Sequence, residues 1–534
     1  MTRKIDGAAL RTRLMADVEI ALLDVREEGV HSEAHLLHAI PMSLSRLEFR
    51  ITDLVPRADT PIVLCGDEPL SEIAASRLSH WGYRDIAILP GNPAAWAAVG
   101  FELFSGIHVP SKAFGEFVQT RYETPEITAE ELNARMSRED HMVILDSRPL
   151  NEYEIRHIPS AIDVPGAELV YRFHDIIPGT ETMVVVHCGG RTRSIIGAQS
   201  LINAGVANRV VALRDGTIGC HLAGYELESG RQRLAPAVSV PGLSRAKDAA
   251  ARIARRFGVK KIDHETLARW RGEDAVRTLY VFDVRLIDEY EAGHLSGAIS
   301  APGGQLIQET DYFIGTRGAR IVLVDDDEVR ATVTASWLSQ MGHKDVFVLK
   351  EPLANRKLDA SAFYPRIHLP ETGLVEHVDA DQLAQELAVD GGSIAVIDLA
   401  LSPNYRRGHI PGAYFAIRSG MADALYHIGR PSSIVLTSED GLLAEIAVPE
   451  VSQLANIPVR ALRGGTDRWQ KFGLVLETDQ HRWASEPRDV WLKPFDQLKG
   501  SVENCLNAYL DWEVNLIAQI ERDGTMNFHY VPVQ

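Results

Sequence analysis

The chain has 534 residues, 45% of them hydrophobic and 24% charged, so it is of globular make-up and long enough for three or four domains. Its net charge of −18 argues against a general nucleic-acid binder. No apolar run reaches the about 20 residues of a membrane span, and the start, Met-Thr-Arg-Lys-Ile-Asp-Gly, leads into an amphipathic stretch and not a signal-peptide core. Four cysteines are too few for a disulfide framework at this length and read as free thiols of a cytoplasmic protein.

Four apolar runs end in aspartate: Ala-Leu-Leu-Asp24, Val-Ile-Leu-Asp146, Tyr-Val-Phe-Asp283 and Ala-Val-Ile-Asp398. Eleven positions after each stands a histidine (His35, His157, His294, His409), and four further an alanine (Ala39, Ala161, Ala298, Ala413). The Asp-to-Asp steps of 122, 137 and 115 residues are each the size of a small domain. Four homologous units follow, over 1–115, 122–238, 255–370 and 374–480, with a non-repeating helical extension over 481–534.

Each unit opens with a short helix behind a capping residue, Asp6, Thr128, Asp263 or Asp379; Thr128-Ala-Glu-Glu131 and Asp379-Ala-Asp-Gln382 read as capping boxes. The Asp-terminated strand and the His segment come next, then a second β-branched run: Pro61–Leu64, Met183–His187, Arg320–Val324 or Ser433–Leu436. A loop, an Ala/Leu-rich helix and a strand ending at Leu89, Leu213, Leu349 or Leu462 complete the unit. Short, unbroken apolar runs are those of buried parallel strands. Strands alternating with helices predict an α/β fold, a mostly parallel sheet with helices on both faces. In the extension, Val502, Leu506, Tyr509, Leu516 and Ile520 form a helical stripe expected to dock on the fourth unit.

Ligands of open α/β sheets gather beyond the carboxyl ends of the strands, which puts function in the loop after the second run. Unit two reads His187-Cys188-Gly189-Gly190-Arg191-Thr192-Arg193-Ser194 there. Unit one has Cys65-Gly-Asp-Glu-Pro-Leu-Ser71, unit three Asp325 to Arg330, and unit four Ser438 to Leu443. Counting 24, 25, 24 and 24 residues to the next strand end aligns Cys65, Asp325 and Ser438 with Cys188, Thr437 being the alternative to Ser438. Cys188 lies before a predicted helix N-terminus, beside two glycines that let backbone N–H groups converge and two arginines that add positive charge, all of which lower a thiol's pKa. The unit-one loop carries Asp67 and Glu68 and no arginine, so Cys65 reads as a relic or structural thiol. Asp325 and Ser438 offer no thiol there, which makes units three and four non-catalytic.

His31, His35 and His38 suggest a metal, yet His35 is the repeated framework histidine, so packing is preferred and no metal is expected. The recurring aspartates are expected to hold the turn after the strand. Cys220 stands seven residues after its strand end, where Trp96 and Trp469 stand after theirs, and reads as a core residue; Cys505, on the apolar-striped tail helix, reads as structural.

Taken together, Asp146-Ser-Arg148, Glu152-Tyr153, His157-Ile-Pro-Ser-Ala161 and Cys-Gly-Gly-Arg-Thr-Arg-Ser resemble a rhodanese domain. The other units carry the same framework, although Asp398-Leu-Ala400 lacks the arginine. The resemblance implies a thiosulfate sulfurtransferase that works through a Cys188 persulfide, with Gly189, Gly190, Arg191, Thr192, Arg193 and Ser194 binding substrate. It also implies a small anionic donor, a thiol or cyanide acceptor, no metal or organic cofactor, and a protein sulfur acceptor or a second copy as further partner. The loop is Cys-x4-Arg, whereas related phosphatases use Cys-x5-Arg; this length favours sulfur transfer over a cysteine phosphatase or arsenate reductase. A persulfide-relay or interaction scaffold is the alternative from another class, suggested by the three degenerate loops.

Overall fold

The computed structural model describes residues 2–532 except 17, 139, 274, 352, 354–357, 363–364, 371–374, 390–391 and 498–499. Asp6, Thr128 and Asp263 each accept a backbone N–H three residues on, which starts the helices Gly7–Met15, Ala129–Ser137 and His264–Arg271. At Thr128 the reciprocal bond from Glu131 completes the capping box.

Every unit then builds one parallel sheet with the same strand order. In unit two it runs Glu126–Ile127, Val210–Leu213, Met183–His187, Met142–Asp146, Ile162–Asp163, so Met183–His187 is central and buried throughout. Its side chains alternate between two apolar layers: Val184 and Val186 face one, Met183 and Val185 the other. Both faces are therefore covered by helices, and the carboxyl end of the central strand is the natural place for a site. Unit four adds a sixth strand, Arg482–Trp483, beside Tyr414–Phe415.

The repeated residues have repeated jobs. Asp24, Asp146 and Asp283 are buried and bind the guanidinium two residues on, whose Nη2 also donates to a carbonyl of the His segment: Ala34, Arg156 or Gly293. The turn after the strand is held this way. In unit four Ala400 replaces the arginine; Asp398 keeps the Ala400 N–H, its Oδ2 has no partner among the described residues, and burial pushes its pKa up to about 7. The framework histidine stacks on a tyrosine four residues earlier (Tyr153–His157, Tyr290–His294, Tyr405–His409), and each tyrosine hydroxyl donates to the repeated alanine's carbonyl. In unit one His31 takes the tyrosine's place and stacks on His35 at 4.0 Å. His38 turns away to Arg317 and Thr525. Among the described residues no His, Cys, Asp and Glu group is arranged to hold a metal.

Units two and three pack reciprocally: Arg193 reaches Gln305, Arg330 reaches Glu168, and Gly166 lies against Gly304. Units one and four meet through Arg77–Glu450 and Arg418–Glu48. The extension departs from expectation, because its helix Val502–Asp523 docks on Val109–Tyr122, the helix joining units one and two, and not on unit four. Leu516 and Ile520 share a core with Val109 and Ala113, and Phe528 beyond them packs on Phe114 and Phe117. An apolar stripe dictates that a face is buried, not against which neighbour. Among the described residues no helix is long and apolar enough to cross a membrane.

Candidate active site

Cys188 follows the central strand of unit two and is 3% exposed. Helix Thr192–Asn203 starts four residues later. None of the backbone N–H groups from Gly189 to Ser194 donates to a protein acceptor among the described residues. They are open donors on the loop after the thiol, and the matching N–H groups of unit three, Glu328 and Ala331, converge on the side chain that stands in the thiol's place, the arrangement that binds an anion. The Sγ lies 3.1 Å from Ser194 Oγ, which also donates to the Gly190 carbonyl. From behind, the N–H groups of Thr217 and Ile218 hold the carbonyls of Cys188 and Gly189. Gly216 makes that approach possible: it sits at φ +52, and a Cβ there would lie 2.3 Å from the Cys188 carbonyl oxygen.

The two arginines are not equivalent. Arg191 is clamped by Glu116 at 2.6 and 2.9 Å and by Asp215 at 3.1 Å, so it fixes the loop to the connecting helix. Arg193 pairs with Glu152 at 2.7 Å and with Gln305 of unit three at 3.0 Å. Burial opposes its charge, but Glu152 and a charged Cys188 outweigh that and raise its pKa. Glu152, also desolvated by burial, is held down to about 2 chiefly by Arg193. His187 is fully buried, 3.5 Å from Asp146, and burial lowers it to about 4, so its imidazole is neutral. On the outer side, Glu513 and Tyr509 of the extension meet Gly190: a Cβ there would stand 3.0 Å from Glu513 Oε2 and 3.3 Å from the tyrosine ring. Glu513 is fully buried and paired with Lys112 at 2.9 Å.

The expected loop residues Cys188 to Ser194 thus lie together around one thiol. Glu116, Glu152, Gly216, Gln305, Tyr509 and Glu513 were not foreseen as its surroundings. One signal was available: a Glu-Tyr pair recurs at 152–153 and 289–290, in the two units whose loops keep an arginine, and Arg330 indeed binds Glu289 at 2.7 Å.

The other loops differ at the thiol position. Asp325 accepts from Glu328 N at 2.6 Å and Ala331 N at 3.1 Å, and burial pushes its pKa up to about 6. Ser438 accepts from Ala444 N at 3.4 Å, which settles the register in its favour over Thr437. Cys65 is not at the catalytic position. It pairs with Asp24 as His187 pairs with Asp146, so it ends the strand, and Gly66 takes the place of Cys188. Its thiol is fully buried in the unit-one core, and burial pushes its pKa well up. Cys220 is 4% exposed and belongs to an apolar cluster, as expected.

A family model for the rhodanese-like domain matches residues 8–99, 128–219 and 263–354. The crystal structure of a thiosulfate sulfurtransferase from Pseudomonas aeruginosa is 44% identical, with a TM-score of 0.94, and the match covers 99% of this chain and 100% of that one. YrkF of Bacillus subtilis (strain 168), described as a sulfur carrier protein, is 31% identical over 96 residues. That match spans 17% of this chain and about half (51%) of the relative.

Proposed function

Because the chain belongs to the rhodanese-like domain family, we propose that it is a thiosulfate sulfurtransferase with one working site, on Cys188. The observation that carries this reading is the run of open N–H donors from Gly189 to Ser194 after a thiol, while the matching donors of unit three are taken by its own aspartate. Likeness to the Pseudomonas aeruginosa enzyme over its whole length supports thiosulfate as donor.

In the first step the Cys188 thiolate attacks the outer sulfur of thiosulfate. An Sγ–S bond forms, the sulfur–sulfur bond of the donor breaks, and sulfite leaves with the bonding pair. Arg193 faces the charge on Cys188 and draws the dianion in against the acidic field of the whole chain; Arg191 positions the loop. The outer sulfur of the persulfide carries the negative charge, and the loop N–H groups stabilise it. In the second step a thiolate or cyanide acceptor attacks that sulfur, the Sγ–S bond breaks, and the Cys188 thiolate returns. Neutral His187 and the Asp146–Arg148 pair keep the strand end fixed without taking a proton.

Intact mass after brief thiosulfate treatment tests this. The wild type and Cys65→Ser gain one sulfur, and Cys188→Ser gains none. Absence of the increment in fully reduced wild-type protein would sink the thiosulfate reading.

A further inference from the structure

Unit two lacks a large core side chain that units one and four share. In unit one Trp96 is 3% exposed and donates its Nε1–H to the Glu102 carbonyl at 3.0 Å; in unit four Trp469 is 5% exposed and donates to the Val475 carbonyl at 3.0 Å. Each acceptor lies six residues after the tryptophan. Trp469 is enclosed by Ala380, Leu383, Leu387, Ile410 and Leu474, and Trp96 by a matching set that includes Leu10, Leu14, Leu36 and Phe101. In unit two the position is Cys220, six residues before Glu226. The walls that would enclose an indole are nonetheless kept: Ala129, Leu132, Met136, Ile158 and Tyr225 line, with Cys220, a cavity of about 350 Å³.

We propose that this cavity is a binding site for a small, uncharged, planar heteroaromatic molecule with one ring N–H, of the size and kind of indole. Its apolar walls Ala129, Leu132, Met136, Ile158 and Tyr225 stand at the positions of Ala380, Leu383, Leu387, Ile410 and Leu474, which cluster with Trp469 in unit four. The volume falls in the range of small-molecule pockets, and the pocket is open to solvent on one side, with Asn133 and Glu226 beside its apolar walls, so a ligand can enter from solution. The N–H has a partner waiting: the Glu226 carbonyl occupies the register of the Glu102 and Val475 carbonyls and accepts no hydrogen bond among the described residues. Burial, followed by the charge of Glu130, pushes the Cys220 thiol up to about 11. The sulfur is thus a neutral, polarizable contact for a ring face and not a nucleophile. With Glu226 at the rim, anionic ligands are disfavoured. The proposal does not rest on the sulfur-transfer reading.

Equilibrium binding of indole to the full-length protein, followed by saturation-transfer NMR and calorimetry, tests it. Wild type is expected to bind one indole saturably. Cys220→Trp, which fills the cavity with its own indole, and Met136→Trp, which fills it from another lining position, are each expected to bind about tenfold more weakly or not at all. Either variant that melts cooperatively suffices for the comparison. No saturable binding to wild type, or equal affinity in a folded variant, overturns the proposal.

Discussion

Gly216→Ala isolates what the catalytic loop owes to its support. Gly216 is at φ +52, which costs an alanine about 1–2 kcal/mol. The new Cβ would also stand 2.3 Å from the Cys188 carbonyl oxygen and 2.9 Å from that of Gly190, whereas real Cβ contacts stay beyond 3.0 Å. The loop must therefore retreat by at least 0.7 Å. Overpacking of that kind adds about 1–3 kcal/mol, so unit two should lose roughly 2–5 kcal/mol. Misplacement of a reacting atom on the order of 1 Å slows chemistry by about 10²-fold, and persulfide formation should fall by that factor. Unit four supplies the control. Gly465 is at φ +61 with a Cβ position 2.1 Å from the Ser438 carbonyl oxygen, so Gly465→Ala carries the same strain in a loop without a thiol. Stopped-flow loading with thiosulfate, monitored by quenched mass spectrometry, should show a slow Gly216→Ala and an unimpaired Gly465→Ala. Wild-type loading by Gly216→Ala would refute the reasoning, and so would equal losses in both.

Three further outcomes are expected. Asp398 is protonated more readily in the fold (about 7) than when unfolded (3.8), so its penalty is absent below about pH 4, grows as pH rises, and is complete above about pH 7. Hydrogen exchange should show Asp398→Asn gaining on wild type across that window, by up to roughly 4 kcal/mol for the three-unit shift. Removing one charge of the buried Lys112–Glu513 pair should cost about 3–5 kcal/mol; Glu513→Gln should speed exchange in 502–523, and Lys112→Met with Glu513→Gln should recover most of it. Arg193→Ala should raise the thiosulfate concentration needed for half-maximal loading more than Arg191→Ala does, measured at low salt, because Arg191 is tied to two carboxylates.

The architecture was readable because the buried turn after each first strand repeats the same groups: Asp to bind the arginine in units one to three, His to stack in all four, and Ala to leave a carbonyl for the tyrosine in units two to four. The catalytic loop was readable because glycine and arginine beside a cysteine suit an anion site and little else. Cys65 was misread because the count to the next strand end sums a loop and a helix, and a shortening in one is invisible. Counting from the framework aspartate would have corrected it: Asp24 to Cys65, Asp146 to His187 and Asp283 to Val324 are each 41 residues apart and each a ladder pair. The carboxylates that clamp Arg191 and the wall at Gly190 were beyond such reading. Glu116 and Glu513 stand 75 and 322 residues from Arg191, and only packing of whole helices brings them there.

The wall that Glu513 and Tyr509 raise against Gly190 also sets a birth order for the site. The loop through Ser194 leaves the ribosome roughly 320 residues before Glu513 does, and at about 5–20 residues per second the gap is roughly 15–60 s. For most of that interval, once residues up to Leu222 are made, unit two has every element of its own loop support but lacks one side of its enclosure. Sulfur chemistry behind a finished wall is therefore a property that each molecule acquires only once residues 509–513 have been made, and a chain interrupted before residue 509 would carry the nucleophile without it.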